Sequence, residues 1–415
     1  MLREQACRRT NRIVDAVTAD RSQLGRANSV FVTRSDGTNP VEVKHALLVY
    51  IEPTPYVLGL IREIAKHERV QVEALFLDAN VSQAWNLTLQ DDSASYLPVG
   101  HLAAALEIRR KLATGRYDLL HLAGWGHPVL LFASILGWWL RIPVFMESDT
   151  PLPIGLPLWK RAIKRSLYPV LFKIPAMVLP GGSRQAEYFR NYGVGAGRIV
   201  NAQMTVDVVE MSKHSAVIRA HGQRSDLRRK FGLDEDQTVF IYVGRLEPHK
   251  GIRLLLEAFG DLAKDYPKAA LLFAGDGSQR AIVISASVSN HAIKYAGRLS
   301  SEEVLSAYNS ADIAVLPSDF EPWGLVVNEA MAVGLPVVVS DRVGCVDDLV
   351  KDGQTGLIFP AGDKRRLELA MRHMIEHAEE RRKMSDRAAA LISQWTLENW
   401  ANNIVESWSR ARVGV

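Results

Sequence analysis

Short apolar runs and amphipathic stretches alternate along this chain from residue 45 to residue 340, and the alternation is played out twice. The first round predicts strands at 45–52, 70–78, 117–123, 144–147, 176–180 and 199–206, separated by helices at 56–67, 101–114, 128–140, 157–172 and 184–192. A run such as HALLVYIE is apolar at both parities, which suits only a strand covered on both faces. Strand–helix alternation makes such a sheet parallel. A basic, helix-like stretch at 215–231 leads into the second round, with strands at 238–244, 270–275, 293–297, 313–317 and 337–340. Helices are expected there at 251–266, 302–310, 324–333 and 364–394. The reading is an α/β chain of two doubly wound, Rossmann-like domains meeting near residue 212 and facing each other across a cleft. A length of 415 residues fits two domains. The last amphipathic segment, 397–412, is expected to pack back toward the N-terminal domain, and residues 1–43 read as a poorly ordered polar extension.

In open parallel sheets, ligands sit beyond the C-terminal ends of the strands. Composition narrows which ligands. A formal charge of +4 is a mild basic excess, too small for a nucleic-acid partner but compatible with anionic small molecules or a membrane surface. Two cysteines leave no disulfide framework and no zinc spacing, which points to a reducing, cytoplasmic setting. The first 26 residues lack the apolar core of a secretory signal, and the apolar stretch 129–146 is broken by Arg141 and Pro143, so no membrane span is expected.

Three clusters stand just after predicted strands of the second domain. In VGRLEPHKG, Gly244 and Arg245 close the strand and Lys250 precedes a helix. Two cations beside a helix N-terminus suit a diphosphate, though a solvated basic loop has the same composition. Gly275 and Gly277 flank Asp276 after ALLFA, where glycine lets backbone approach a ligand; a plain strand-to-helix turn looks alike. In EPWGLVVNE, Glu321 precedes a helix opened by Gly324 and Leu325, and Glu329 lies further along that helix. Carboxylates accept hydrogen bonds from sugar or ribose hydroxyls, and the free amides of the helix start favour phosphate or sugar oxygens; taken alone, Glu321 equally reads as a helix-start acid favoured by the dipole and Glu329 as a solvated helix residue.

VGRL-x3-KG, GDG, the E-x7-E block and the following AMAVGLPVVVSD, spanning about residues 238–363, resemble the donor domain of the retaining, family-four (group-one) glycosyltransferases of the GT-B fold. YDLLHLAG, LRIPVFMES and the TVD ending at Asp207 occupy the corresponding N-terminal places more loosely. The resemblance implies a nucleotide-sugar donor bound by residues 213–395 and an acceptor, a glycan or a lipid-linked one, bound by residues 44–212. It implies that Arg245 and Lys250 hold the diphosphate, Glu321 the sugar, Glu329 the ribose, and that Gly324 and Leu325 offer amides. It further implies transfer of a hexosyl-type sugar with retention, in cell-surface polysaccharide or glycoconjugate synthesis, with no cofactor and no divalent metal. Asp234-Glu235-Asp236 spells D-x-D but precedes a strand, and reads as a solvated loop.

This chain departs from the family pattern on the N-terminal side. Glu52-Pro53-Thr54-Pro55 stands where a glycine pair is usual, and Glu147-Ser148-Asp149-Thr150 where a histidine is usual. Asp149 is the nearest positional match and a candidate catalytic residue. Glu147, Thr54 and His127 are acceptor-side candidates, His127 being equally suited to starting a helix. Residues 156–172 put Lys160, Arg161, Lys164 and Arg165 on one arc and Leu156, Trp159, Ile163 and Leu167 on another, with no acid from 151 to 175. Such a helix either lies on an anionic membrane as a peripheral anchor, at the inner face of the cell membrane, or packs its apolar stripe on the sheet. Two other functions stay open: a nucleotide-sugar epimerase or phosphorylase-like enzyme, and a non-catalytic nucleotide-sugar-binding protein on the same scaffold.

Overall fold

The computed structural model describes residues 31–32, 41–79, 89, 93–153 and 155–410. The expectation for residues 1–43 therefore lies almost entirely outside the described residues; within it, Phe31–Val32 and Val41–Glu42 pair as a short antiparallel ribbon.

Two six-stranded parallel sheets carry the molecule. The N-terminal sheet runs, edge to edge, Ala94–Tyr96, Val70–Phe76, Lys44–Tyr50, Leu119–Leu122, Val144–Ser148 and Met177–Pro180. The C-terminal sheet runs Ile293–Gly297, Ala269–Ala274, Thr238–Val243, Ile313–Leu316, Val337–Ser340 and Gly356–Phe359. Each has the sequential order 3-2-1-4-5-6. The order reverses beside the first strand, where the connections on the two sides diverge and open a crevice. Ala269–Ala274 is buried at every position, as a strand packed by helices on both faces must be.

The expected strand at 199–206 is absent. Ile199 makes a single bridge to Val178, and Gln203 takes a left-handed φ of 64° that breaks the extended run. The boundary expected near residue 212 falls inside helix Val208–Ala220, capped by Asp207, whose side chain accepts from the Glu210 amide at 3.0 Å. That helix belongs to the C-terminal domain: Val208 lies in its core, and Ser215 accepts from Asn309 at 2.9 Å. The single helix expected at 364–394 is two, Lys364–Glu376 and Ala378–Ile392. The edge strands Ala94–Tyr96 and Gly356–Phe359 were not expected.

Helix Leu397–Arg410 leaves the C-terminal domain and buries Leu397, Trp400, Ala401, Ile404 and Trp408 in the N-terminal core, against Tyr50, Leu60 and Phe145. Each large apolar side chain so buried contributes about 2 kcal/mol. The two lobes also touch directly. Arg184 grips Asp347 with two bonds of 2.8 Å and donates to the carbonyls of Asp341 and Val343, while Gln185 donates to the Pro322 carbonyl at 2.6 Å. Those carbonyls belong to the loops that carry the site.

Candidate functional site

The loops after the C-terminal strands are zipped to one another. The Gly244 amide donates to Ala274, Leu246 to Asp276, and Gln279 back to Leu246. Glu247 accepts from the Ser278 amide and hydroxyl. Gly275 lies so close to its neighbour loop that a Cβ there would stand 1.9 Å from the Gly244 carbonyl oxygen, at a φ of 146°. Gly277 sits two residues on, its amide held by Asp276 Oδ1 at 2.8 Å. These glycines shape the loops around each other; the contact that requires them is with protein.

Arg245 projects from this platform into solvent, its own carbonyl held by the buried Tyr242 hydroxyl at 2.7 Å. Lys250 ends the turn Pro248–Lys250 and forms a salt bridge with Glu321. Both side chains are largely buried, so the pair is stronger than a surface one. Glu321 is fixed by its backbone: its amide donates to Arg342 and its carbonyl accepts from Gly344. Gly324, at a φ of 99°, caps helix Leu325–Ala332, and no side chain hydrogen-bonds to the helix start at Leu325.

Glu329, one turn further, accepts from the Tyr308 hydroxyl at 2.9 Å. Protein surrounds it closely enough that burial pushes its carboxyl up to about 7, a rise that the Tyr308 bond only partly offsets. Between the two glutamates, Trp323 is buried, donates to Asn328 at 3.0 Å and stacks on Trp395. Asn328 in turn donates to Thr205 at the crossing between lobes. Trp323, Asn328, Tyr308 and Arg184 were not singled out in the sequence. The conspicuous tryptophan inside EPWG was the available hint.

On the N-terminal side the candidates separate. Asp149 is exposed beyond the end of its strand, yet crowded by protein, and burial followed by the charges of Glu321 and Glu147 raises its carboxyl above the usual range. Asp149 and Glu321, from opposite lobes, therefore share one field. Glu147, an acceptor-side candidate, is turned into the lobe. It is buried, and its oxygens take Tyr50 at 3.0 Å, His121 at 3.2 Å and Trp400 at 2.7 Å, which ties the C-terminal helix to the sheet. Thr54 is likewise buried and caps helix Pro55–Ala65 through the Val57 amide at 3.3 Å. His127 takes the helix-start part: Nδ1 accepts from the Val129 amide at 3.3 Å, and its ring meets His101 edge-on. Asp236 of the D-x-D pairs with Lys268 at 2.7 Å on the surface. Among the described residues, no group of three or more His, Cys, Asp or Glu could hold a metal ion.

Residues 223–391 match the family described as glycosyl transferases group 1. Through this domain the chain is similar to the group 1 glycosyl transferases. It is 31% identical over 172 residues to the alpha-D-kanosaminyltransferase of Streptomyces kanamyceticus, covering 41% of this chain and 44% of that one. It is 28% identical over 296 residues to the sulfoquinovosyl transferase SQD2 of Arabidopsis thaliana, covering 69% of this chain and 55% of that one. The chain thus spans about half the length of these curated relatives. The structure of Anabaena Alr3699/HepE in complex with UDP superposes with a TM-score of 0.69 at 19% identity, covering 88% of this chain and all of that one. The fold of this chain is GT-B.

Proposed function

We propose that this chain moves a hexosyl-type sugar from a nucleoside-diphosphate sugar to a glycan or lipid-linked acceptor, with retention at the anomeric carbon, in cell-surface polysaccharide or glycoconjugate synthesis. The observation that carries the reading is the Lys250–Glu321 ion pair at the ends of the C-terminal strands, beside Arg245 and the uncapped helix start and electrostatically coupled to Asp149 on the other lobe.

A donor entering this site exchanges partners with the pair. Its diphosphate draws Lys250 and Arg245, and the sugar hydroxyls take the Glu321 carboxylate that Lys250 releases. The two cations and the helix dipole then meet charge that builds on the diphosphate as the glycosidic C–O bond breaks. The acceptor hydroxyl forms the new bond, and its proton passes to the departing phosphate. Asp149 orients the sugar or acceptor from the facing lobe. Since the charge is met by this chain's own cations, turnover is expected to survive chelation; a large loss with EDTA would show that a divalent ion takes part.

Glu329 is assigned to the ribose diol. A diol donates best to a carboxylate, and this carboxyl ionises only at about pH 7. Nucleotide affinity should therefore weaken as pH falls through about 7, and Glu329→Gln should flatten that dependence. Stability runs the other way: a carboxyl raised in the folded state favours folding at low pH, and that contribution is lost as pH rises from the ordinary glutamate range to about 7. Isothermal titration at a series of pH values checks the first, thermal melting the second.

The proposed function is tested by thermal shift against UDP-, GDP-, ADP- and dTDP-sugars, followed by a search for acceptor-dependent release of the nucleoside diphosphate. A shift with one nucleotide and acceptor-dependent release support sugar transfer. A shift without release under any acceptor would favour a binding protein, and interconversion of donor sugars an epimerase.

A further inference from the structure

Helix Leu158–Leu171 buries none of its residues. Its apolar stripe faces outward: Leu158 is 80% exposed, Trp159 62%, Leu167 60% and Val170 65%, with Ile163 between them. The side turned to the protein carries Lys164, lying over the rings of Tyr168 and Tyr188, and Tyr168, packed on Trp125 and Phe172. Packing of the apolar stripe on the sheet is thus not what this helix does.

The neighbouring crossover helix, Pro128–Trp139, does the same at its far end. Trp138 and Trp139 are both more than half exposed, and Ile135 and Phe132 lie partly open one and two turns earlier. Both helices step to the next parallel strand in the same direction across the sheet, so right-handed connections put them on one face. Both start at the cleft end of the strands and run away from it. That side of the sheet therefore carries two exposed apolar sets, Phe132, Ile135, Trp138 and Trp139 on one helix and the Leu158–Val170 stripe on the next, more exposed apolar side chains than a protein in water ordinarily clusters on one side. Cations edge it: Lys160, Arg161 and Arg165 are exposed, Arg141 follows Trp139 closely, and no acid occurs from residue 151 to 175. Among the described residues, no helix is long and apolar enough to cross a membrane.

We infer that this two-helix face docks on an anionic lipid bilayer, the tryptophans and aliphatic side chains entering the headgroup region and the cations meeting lipid phosphate. Amphipathic tryptophan at the boundary and basic side chains beside it are what a lipid interface selects. The inference extends the proposed function. Eight residues lie between Asp149 and Leu158, so the docked helix Leu158–Leu171 starts beside the cleft, and an acceptor can reach Asp149 by its head while its lipid stays in the bilayer.

The test is co-sedimentation of the full chain with vesicles of phosphatidylcholine alone, or of phosphatidylcholine with roughly a third phosphatidylglycerol. The wild type should bind the anionic vesicles and release in high salt. Trp159→Ser/Ile163→Ser/Leu167→Ser and Trp138→Ser/Trp139→Ser should each weaken partitioning about tenfold or more, as should Lys160→Glu/Arg165→Glu. All these positions are exposed, so the variants should melt as the wild type does. No binding to anionic vesicles, or binding that the Trp138/Trp139 variant leaves unchanged, overturns the inference. So does a wild-type dimer in light scattering that the Trp159 variant dissociates, which would make a second copy the occupant. Nucleotide-induced thermal shift, read in parallel without lipid, reports on the proposed function alone.

Discussion

Replacing Lys250 by alanine is expected to lower turnover by about two to three orders of magnitude while leaving the fold intact, and Glu321→Ala to do the same. Both effects follow from where the pair sits. Lys250 and Glu321 come from separate strand ends, 71 positions apart, and are drawn into contact in a largely buried spot. Neither backbone depends on the pair, because Glu321 is held through Arg342 and Gly344 and Lys250 by its own turn. Loss of the side chains therefore costs the site its charge without costing it its shape. The variants should differ in kind: Lys250→Ala should weaken nucleoside diphosphate binding, whereas Glu321→Ala should leave the bare diphosphate bound and impair the sugar. The double variant should lose less than the product of the two single losses, since each single one strands a charge that the other leaves unopposed. Steady-state rates, nucleotide titrations and melting curves on all four proteins decide this. Wild-type turnover in either single variant would remove the pair from the chemistry, and loss of cooperative melting would make it part of the fold instead.

The C-terminal half of the candidate site could be located in the sequence because it is local. Arg245, Lys250, Glu321 and Glu329 each stand within a short motif fixed by an apolar strand before and a helix after. Parallel strands covered on both faces print themselves as unbroken apolar runs, so their order of appearance was legible too. The edge strands Ala94–Tyr96 and Gly356–Phe359 were not: they are three and four residues long and have a neighbour on one side only. The N-terminal half of the site was harder for a different reason. Glu147, Thr54 and His127 also follow or close strands, but position along a strand does not say what lies across from the side chain. Thr54 and His127 turn onto the next helix, and the partner that takes Glu147 is Trp400, 253 positions away. The stripe of helix Leu158–Leu171 was ambiguous in the same sense. Periodicity places Trp159, Ile163 and Leu167 on one side of a helix, but the sheet that decides whether the side is covered is built elsewhere in the chain.

Glu147→Ala is expected to destabilise the N-terminal lobe by about 3–5 kcal/mol, lowering its melting temperature by roughly 10 °C. The carboxylate is the common acceptor for Tyr50, His121 and Trp400. Trp408 fixes the tautomer of the histidine among them. An indole N–H only donates, so His121 Nδ1 accepts from Trp408 Nε1 at 3.3 Å, and Nε2 carries the proton offered to Glu147. Alanine at 147 would leave a phenol, an imidazole and an indole with buried donors and no acceptor, at the seam where helix Leu397–Arg410 meets the sheet. Glutamine should cost less, since its carbonyl keeps one acceptor while its amide opposes the remaining donors. Hydrogen exchange should place the damage: amides of Leu397–Arg410 should lose protection, while strands Thr238–Val243 and Ala269–Ala274 keep theirs, because the C-terminal core closes without Glu147. Nucleotide binding should accordingly survive in the folded fraction. If Glu147→Ala instead melts with the wild type and loses only transfer to acceptor, the side chain faces the cleft during turnover, and the acceptor-side reading of this residue is restored.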